Sequence, residues 1–299
     1  MRTLKATLVI SILLAVFALP AVVMAAGETG AIFLDIFPGA RPEGLGGAYT
    51  AIADDANSVA INPAGMTHVK GQEVTLMHNE YMFDMDQEYI AYVSSDGRRA
   101  WGGSLVYFDF GAVQGYTASN TFTGAFHPKS YALTVAYSQR PSETWSWGVS
   151  LKYIREKIAD AKGDAFALDG GVLYTPPESG WRFGLALLNL GTKIDVGENA
   201  DPLPLTLRVG AAYHLTQYPV LLVSDVLLIR NNSPEFHFGL EYSFVEIAAL
   251  RVGYNADHDL DSGLTFGVGF SQPEYKIDYA YVPMGVFGDA HRFSLSLMF

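Results

Sequence analysis

Alternation of bulky apolar residues with small or polar ones constrains this chain more than any other feature. Near the C-terminal end, Phe293, Leu295, Leu297 and Phe299 share one parity, and Arg292, Ser294 and Ser296 the other. The run 264–271 repeats the pattern, with Leu264, Phe266, Val268 and Phe270 opposed by Thr265, Gly267, Gly269 and Ser271. In 205–215 the apolar set is Leu205, Leu207, Val209, Ala211, Tyr213 and Leu215, and runs 131–138, 145–153, 236–244 and 275–281 behave alike. Side chains of an extended chain alternate between faces, so each run reads as a strand with one greasy face. The other face is mostly Gly, Ser, Thr and scattered charge. Small inward residues suit strands around a lumen that another part of the chain also occupies.

Composition agrees. The 299 residues include 30 glycines and 13% aromatics, and mean hydropathy is slightly positive. Yet no stretch beyond the N-terminus reaches the roughly 18 apolar residues of a spanning helix. A chain apolar on average but never continuously so fits a transmembrane β-barrel. Fourteen antiparallel strands are predicted: 72–80, 87–95, 100–110, 130–140, 145–156, 164–175, 181–190, 204–215, 219–229, 235–244, 246–254, 263–271, 275–282 and 291–299. The run 219–229 is apolar on both faces, which leaves its phase open.

Connections at 96–99, 141–144, 176–180, 216–218, 245 and 272–274 are short. Those at 81–86, 111–129, 157–163, 191–203, 230–234, 255–262 and 283–290 are longer and hold most loop acids. Tight periplasmic turns and larger outer loops are the rule in bacterial outer-membrane barrels. The even count is expected to return both termini to the periplasmic side. Trp101, Trp145 and Trp181 begin strands beside short turns, Tyr213 and Tyr218 flank another, and Tyr153, Tyr242, Tyr254 and Tyr281 fall near strand ends. Amphipathic rings gather at membrane–water boundaries, so these form two candidate girdles.

Residues 1–26 read as an export signal: Arg2 and Lys5, an apolar run from Leu8 to Leu19, and Val23-Met24-Ala25-Ala26 as the cleavage site. Removal leaves 17 basic against 31 acidic residues, a balance that disfavours nucleic acid. Without cysteine, neither disulfides nor thiolate chemistry is available.

Residues 27–71 are assigned to a plug, with the barrel over 72–299. Between Phe37 and Met66, small residues dominate, Asp54 and Asp55 stand adjacent, and Asn62-Pro63-Ala64-Gly65 closes the segment. Gly39, Gly44, Gly46 and Gly47 are too many for a good helix. Ala48 to Ala60 is expected to make one short helix, stopped at Asn62 because proline disfavours helical geometry in the residue before it. The competing reading is a surface turn-helix-turn.

The stretch Pro38-Gly39-Ala40-Arg41, Gly46-Gly47-Ala48-Tyr49, Ala53-Asp54-Asp55-Ala56 and Asn62-Pro63-Ala64-Gly65 resembles the N-terminal signature of the PorV/PorQ family, grouped with FadL-like fatty-acid transporter barrels. Asp278-Tyr279-Ala280-Tyr281 and Gly288-Asp289-Ala290-His291-Arg292-Phe293-Ser294-Leu295 resemble its ending, and His78-Asn79-Glu80 fits the first strand. The resemblance implies a fourteen-stranded barrel in an outer membrane; no cofactor and no catalysis are expected of it. It also implies two jobs. One is passive passage of small hydrophobic molecules past the plug, with Asn62, Pro63, Ala64, Gly65, Arg41, Asp54 and Asp55 as ligand or gate candidates. The other is type IX secretion or surface assembly, in which outer loops dock an exported protein.

Strand phase independently turns Lys152, Asp169, Arg208, Glu241, Arg251, Lys276, Asp278 and Arg292 inward, with His214 and His237 as polar liners. Asp54 and Asp55 are expected to pair with inward arginines. In the 111–129 loop, Tyr116, Phe122 and Phe126 suit an apolar ligand or a protein partner. Asp257-His258-Asp259-Leu260-Asp261 lacks the glycine and acid an EF-hand needs, since Ser262 and Val268 stand there. Weak divalent binding by an acidic outer loop is the most it leaves. No G-x-S-x-G, H-E-x-x-H or P-loop pattern occurs.

Overall fold

The computed structural model describes residues 29–197, 200–215, 217–244, 247–256 and 262–299. The signal expected over 1–26 and the acidic run 257–261 lie outside the described residues. Among the described residues eighteen strands are present: β1 (Gly71–Glu80), β2 (Asp86–Ser95), β3 (Arg99–Asp109), β4 (Val113–Tyr116), β5 (Phe122–Phe126) and β6 (Lys129–Gln139). Then follow β7 (Trp145–Ile158), β8 (Ala161–Tyr174), β9 (Trp181–Gly191), β10 (Lys193–Asp195), β11 (Ala200–Pro202) and β12 (Thr206–Leu215). The last six are β13 (Val220–Ile229), β14 (Glu235–Phe244), β15 (Ala248–Asn255), β16 (Leu264–Ser271), β17 (Tyr275–Pro283) and β18 (Asp289–Met298).

Fourteen of them close into one antiparallel barrel, sealed where β1 meets β18 with Leu76 opposite Leu295. The strands β4–β5 and β10–β11 instead form two small hairpins within the loops 111–129 and 191–203. Closure leaves no free edge, the one sheet arrangement that satisfies every backbone group inside a bilayer.

On most strands the bulky residues face outward, β13 being the exception with Leu227 and Ile229 buried. Leu133, Val135, Val149, Leu151, Phe166, Leu168, Phe266, Val268, Phe293 and Leu295 are all exposed on the outer wall. Aromatic rings link around the short-turn end: Trp101 to Tyr137 (4.6 Å), Tyr137 to Trp147 (5.9 Å), Trp145 to Tyr174 (4.4 Å) and Trp181 to Tyr213 (4.7 Å). These separations are those of favourable edge and offset packing.

Three expectations need correction. The connection at 157–163 is not a long loop: β7 runs to Ile158 and β8 starts at Ala161, so two fourteen-residue strands meet across Ala159 and Asp160. Ala159 takes the left-handed conformation (φ 52°) that this turn requires. The predicted helix over 48–60 shrinks to one turn, Ser58–Ile61. Finally, the two ends of the described chain do not share a side. Phe299 lies at the short-turn end, where the backbone N–H of Gln72 donates to it (3.2 Å), but Gly30 donates to Pro202 in the long loop after β9 (3.0 Å).

Residues 30–70 therefore traverse the lumen from the long-loop end to the short-turn end. Along the way come a 3₁₀ turn (Ile32–Asp35), a helical turn (Ala40–Gly44), the turn Ser58–Ile61 and a 3₁₀ stretch (Pro63–His68). Phe33, Leu45, Tyr49, Ile52, Val59, Ile61 and Met66 are fully buried there, each worth about 1.5–3 kcal/mol against exposure. The small inward residues explain the fit. A Cβ on Gly148 would stand 2.4 Å from the Pro63 carbonyl carbon, and one on Gly184 would stand 2.3 Å from Thr50 O. Backbone of the segment thus lies directly on backbone of the wall.

Candidate functional site

Arg41, on the turn Ala40–Gly44, is the hub of the lumen. Its Nη1 donates to Asp54 Oδ1 (2.7 Å) and to the Tyr49 hydroxyl (2.9 Å), its Nε donates to Glu241 Oε2 (3.2 Å), and Asp55 lies 3.6 Å away. Tyr49 passes the link on by donating to Asp55 Oδ2 (2.6 Å). Asp54 Oδ2 also accepts from Arg182 of β9 (3.1 Å). Asp54 has a guanidinium at hydrogen-bond distance on each carboxylate oxygen. Asp54 and Asp55 thus meet Arg41 and Arg182, not the wall arginines Arg208, Arg251 and Arg292 as expected. Each of those three already has its own acid.

Arg208, fully buried, pairs with Asp225 (2.9 Å), donates through Nε to Thr50 Oγ1 (2.9 Å) and lies over the Phe37 ring (4.4 Å). Asp225 in turn accepts from the backbone N–H groups of Tyr49 and Thr50 (3.0 Å each). Arg251 joins Glu241 (2.7 Å) to Asp278 (2.6 Å), so Arg41, Glu241, Arg251 and Asp278 form one chain of charge. Arg292 pairs with Glu43 (3.2 Å) and donates to Phe37 O (2.5 Å). Lys276 approaches Glu73 (3.7 Å), which accepts from Ala56 N–H (3.1 Å). Lys152 sits apart, bonded to Asn189 Oδ1 (2.6 Å) and Asp169 (3.3 Å).

The Asn62-Pro63-Ala64-Gly65 element packs on the opposite wall, against β6, β7 and β8. Asn62 is extended (φ −155°), accepts from Ala64 N–H (3.2 Å) and donates to Thr50 O (2.9 Å) and Val172 O (3.4 Å). His237 is buried and bonded to Gly46 O, whereas His214 is exposed at the short-turn end of β12. Tyr116 and Phe122 stand exposed on the β4–β5 hairpin with rings 5.7 Å apart, and Phe126 is partly covered at its base.

Sequence reasoning missed Glu43, Tyr49, Thr50, Glu73, Arg182, Asn189 and Asp225. Asp225 carried a usable signal, as the one charge in an apolar run. The hub yields an expected result. Asp54→Asn with Asp55→Asn removes two of the three acids facing Arg41 and leaves Glu241; at about 2 kcal/mol lost, segment displacement should rise about 30-fold. Single-channel recording in planar bilayers reads this as more frequent open events, and unchanged conductance would count against the hub.

Beside its first turns the segment leaves a narrow gap. The gap between Phe33, Ile36, Phe37 and Pro38 and the wall residues Ser104, Val106, Ala132 and Lys152 is about 20 Å³, room for about one water. The larger concavity is on the outer face, about 600 Å³ across β17, β18, β1, β2 and β3. Leu76, Ile90, Leu105, Ile277, Phe293 and Leu295 line it, with His78 and Glu88 (2.7 Å apart) at the long-loop rim. Behind this groove the same strands grip the lumenal segment. Gly39 N–H points at Met77 Sδ (3.1 Å), Ala40 N–H donates to Ser294 Oγ (3.0 Å), and Tyr89 donates to Ala56 O (3.4 Å).

Residues 24–152 match the model of the Uncharacterised protein family (UPF0164). Two proteins of Treponema pallidum (strain Nichols), each described as UPF0164 protein, are similar. One is 32% identical over 292 residues, covering 87% of this chain and 66% of the relative. The other is 27% identical over 178 residues, covering 54% and 44%. The chain thus spans under half of one relative and about two thirds of the other. Among solved structures, the toluene transporter TodX of Pseudomonas putida has a TM-score of 0.66 at 11% identity, covering 87% of this chain and 96% of that one. The CymD monoaromatic hydrocarbon channel gives 0.64 at 13%, covering 91% and 99%. A FadL homologue of Pseudomonas aeruginosa gives 0.55 at 12%, covering 86% and 97%. At such identities the likeness is one of fold, a closed antiparallel barrel. The PorV/PorQ resemblance rests on the sequence motifs quoted above.

Proposed function

We propose that this chain is an outer-membrane channel passing small hydrophobic molecules down their gradient, without energy input. One observation carries the reading: the apolar groove on the outer wall lies back to back with the lumenal segment across β18, β1 and β2. A ligand leaving the lumen there meets an apolar surface rather than water, and burying apolar area is the favourable term for such a molecule. The segment acts as a plug that must shift for passage, since the gap between Phe33 to Pro38 and the wall is only about 20 Å³. Arg41, Asp54 and Asp55 hold it on one side, and Asn62 to Gly65 anchor it on the other as the gate. The fold shared with TodX and CymD supports the same reading.

The test is uptake of radiolabelled toluene, and in parallel of a long-chain fatty acid, by intact Gram-negative cells lacking their own channel. Cells making the protein should exceed the empty-vector rate for at least one probe. Ile90→Arg with Leu105→Arg places charge in the groove at about 2–4 kcal/mol per residue near mid-bilayer and should return uptake to background. Uptake equal to the vector control for both probes would sink transport.

The exposed Tyr116 and Phe122 pair favours a second reading, in which the β4–β5 hairpin docks an exported protein during secretion or surface assembly. Co-purification of one protein species, lost on Tyr116→Ser with Phe122→Ser, would support it over transport.

A further inference from the structure

On β7 the outward residues run Trp145, Trp147, Val149, Leu151, Tyr153, Arg155 and Lys157. The eight steps from Trp145 to Tyr153 rise roughly 20 Å at about 3.3 Å per residue and about 40° of tilt, close to the apolar band of a barrel. Arg155 and Lys157 extend about 5 and 10 Å beyond it on the long-loop side, the depth of lipid headgroups. Across the sheet, Lys129, Lys157 and Lys162 stand directly opposite one another on β6, β7 and β8. Like charges so placed repel.

The neighbouring acids leave the centre of this row uncompensated. Asp109 pairs with Lys129 (3.3 Å), and Asp164, which lies near Lys162, is hydrogen-bonded to Arg155 (Nη2 to Oδ2, 3.1 Å) and Tyr153 and leaves Lys157 without an acid. Asp160, at the turn, forms no ion pair with either Lys157 or Lys162, which are both exposed. In a chain of net charge −12, three aligned lysines on an outward face call for an anion from outside the protein.

We infer that Lys157 and Lys162, flanked by Lys129 and Arg155, bind the phosphate of an anionic lipid in the leaflet on the long-loop side. The acyl chains lie along Leu151, Phe166 and Leu168 below, and the lysine stems reach back to the phosphate. The inference rests on the membrane part of the proposed function, not on transport.

The test is native mass spectrometry of the protein from micelles holding equal phosphatidylglycerol and phosphatidylcholine, with flotation on vesicles of phosphatidylcholine alone as control. Wild type should float and retain phosphatidylglycerol preferentially. Lys157→Gln with Lys162→Gln should float equally but bind phosphatidylglycerol about 30-fold more weakly, while Lys157→Arg with Lys162→Arg keeps the preference. Equal retention of the two lipids by wild type, or an undiminished preference in the glutamine variant, overturns the site. Failure of wild type to float overturns the membrane assignment itself.

Discussion

Replacing Arg208 with methionine is expected to lower the stability of the barrel by about 3–5 kcal/mol, the cost of stranding a buried charge. Arg208 and Asp225 are both nearly inaccessible, and between them they hold the turn around Thr50 through Thr50 Oγ1, Gly47 O and two backbone N–H groups. Methionine keeps much of the volume but leaves Asp225 without its cation. The temperature at which the folded band disappears on an unboiled gel should fall sharply, and conductance in planar bilayers should rise as the segment loosens. Arg208→Lys should recover only part of the loss. An ammonium can neutralise Asp225 but cannot reach Thr50 and Gly47 together from a planar fork. Adding Asp225→Leu to Arg208→Met should restore part of the stability, because the stranded charge goes although the Tyr49 and Thr50 N–H groups lose their acceptor. Were the double variant as weak as the single one, the clamp would be packing and not charge.

That clamp also marks where the sequence stops being legible. Alternation identified Arg208 as inward, because Leu207 and Val209 flank it with unmistakable outward bulk. It could not do so for Asp225, since Leu227 and Ile229 on its own face are as apolar as Val226 and Leu228 on the other. Inside the barrel those leucines and isoleucines meet buried parts of the chain, so period two carries no contrast there. Pairing was less legible still. Phase says which charges face the lumen, but strands in a barrel are sheared, so residues far apart in strand position come level. Arg182, next to the interface residue Trp181, reaches Asp54 on the lumenal segment, a pairing that strand phase alone does not disclose. The run of small residues from 37 to 66 signalled close packing correctly in kind. What it lacked was direction, because a segment without strong periodicity offers no clue that residue 30 lies at the opposite end from residue 71. The contacts of Gly30 with Pro202 and of Gln72 with Phe299 are long-range and leave no local trace.

The second large effect is expected from Gly253→Val. A Cβ at that position would stand 1.9 Å from Gly46 N and 2.4 Å from the Leu45 carbonyl carbon, both backbone atoms of the lumenal segment that cannot swing aside. The conformation of Gly253 is one any residue can adopt, so space alone is at stake there. Gly46, by contrast, has φ of +66° and is held to glycine on both counts. Overpacking of this kind costs about 3 kcal/mol, and the cheapest relief is for the segment to lift from β15 while the wall keeps its hydrogen bonds. Conductance should therefore rise in planar bilayers while the folded band persists on an unboiled gel at room temperature. Gly170→Val is the matched control, because nothing lies within 4 Å of its Cβ position on the outward face. It should behave as wild type in both measurements. If Gly253→Val instead matched Gly170→Val, residues 45–47 would not rest on the wall as described. If it abolished the folded band altogether, the segment would be part of the barrel's own stability and too firmly seated to act as a gate. A leak with an intact barrel is the outcome that makes residues 30–70 a movable part.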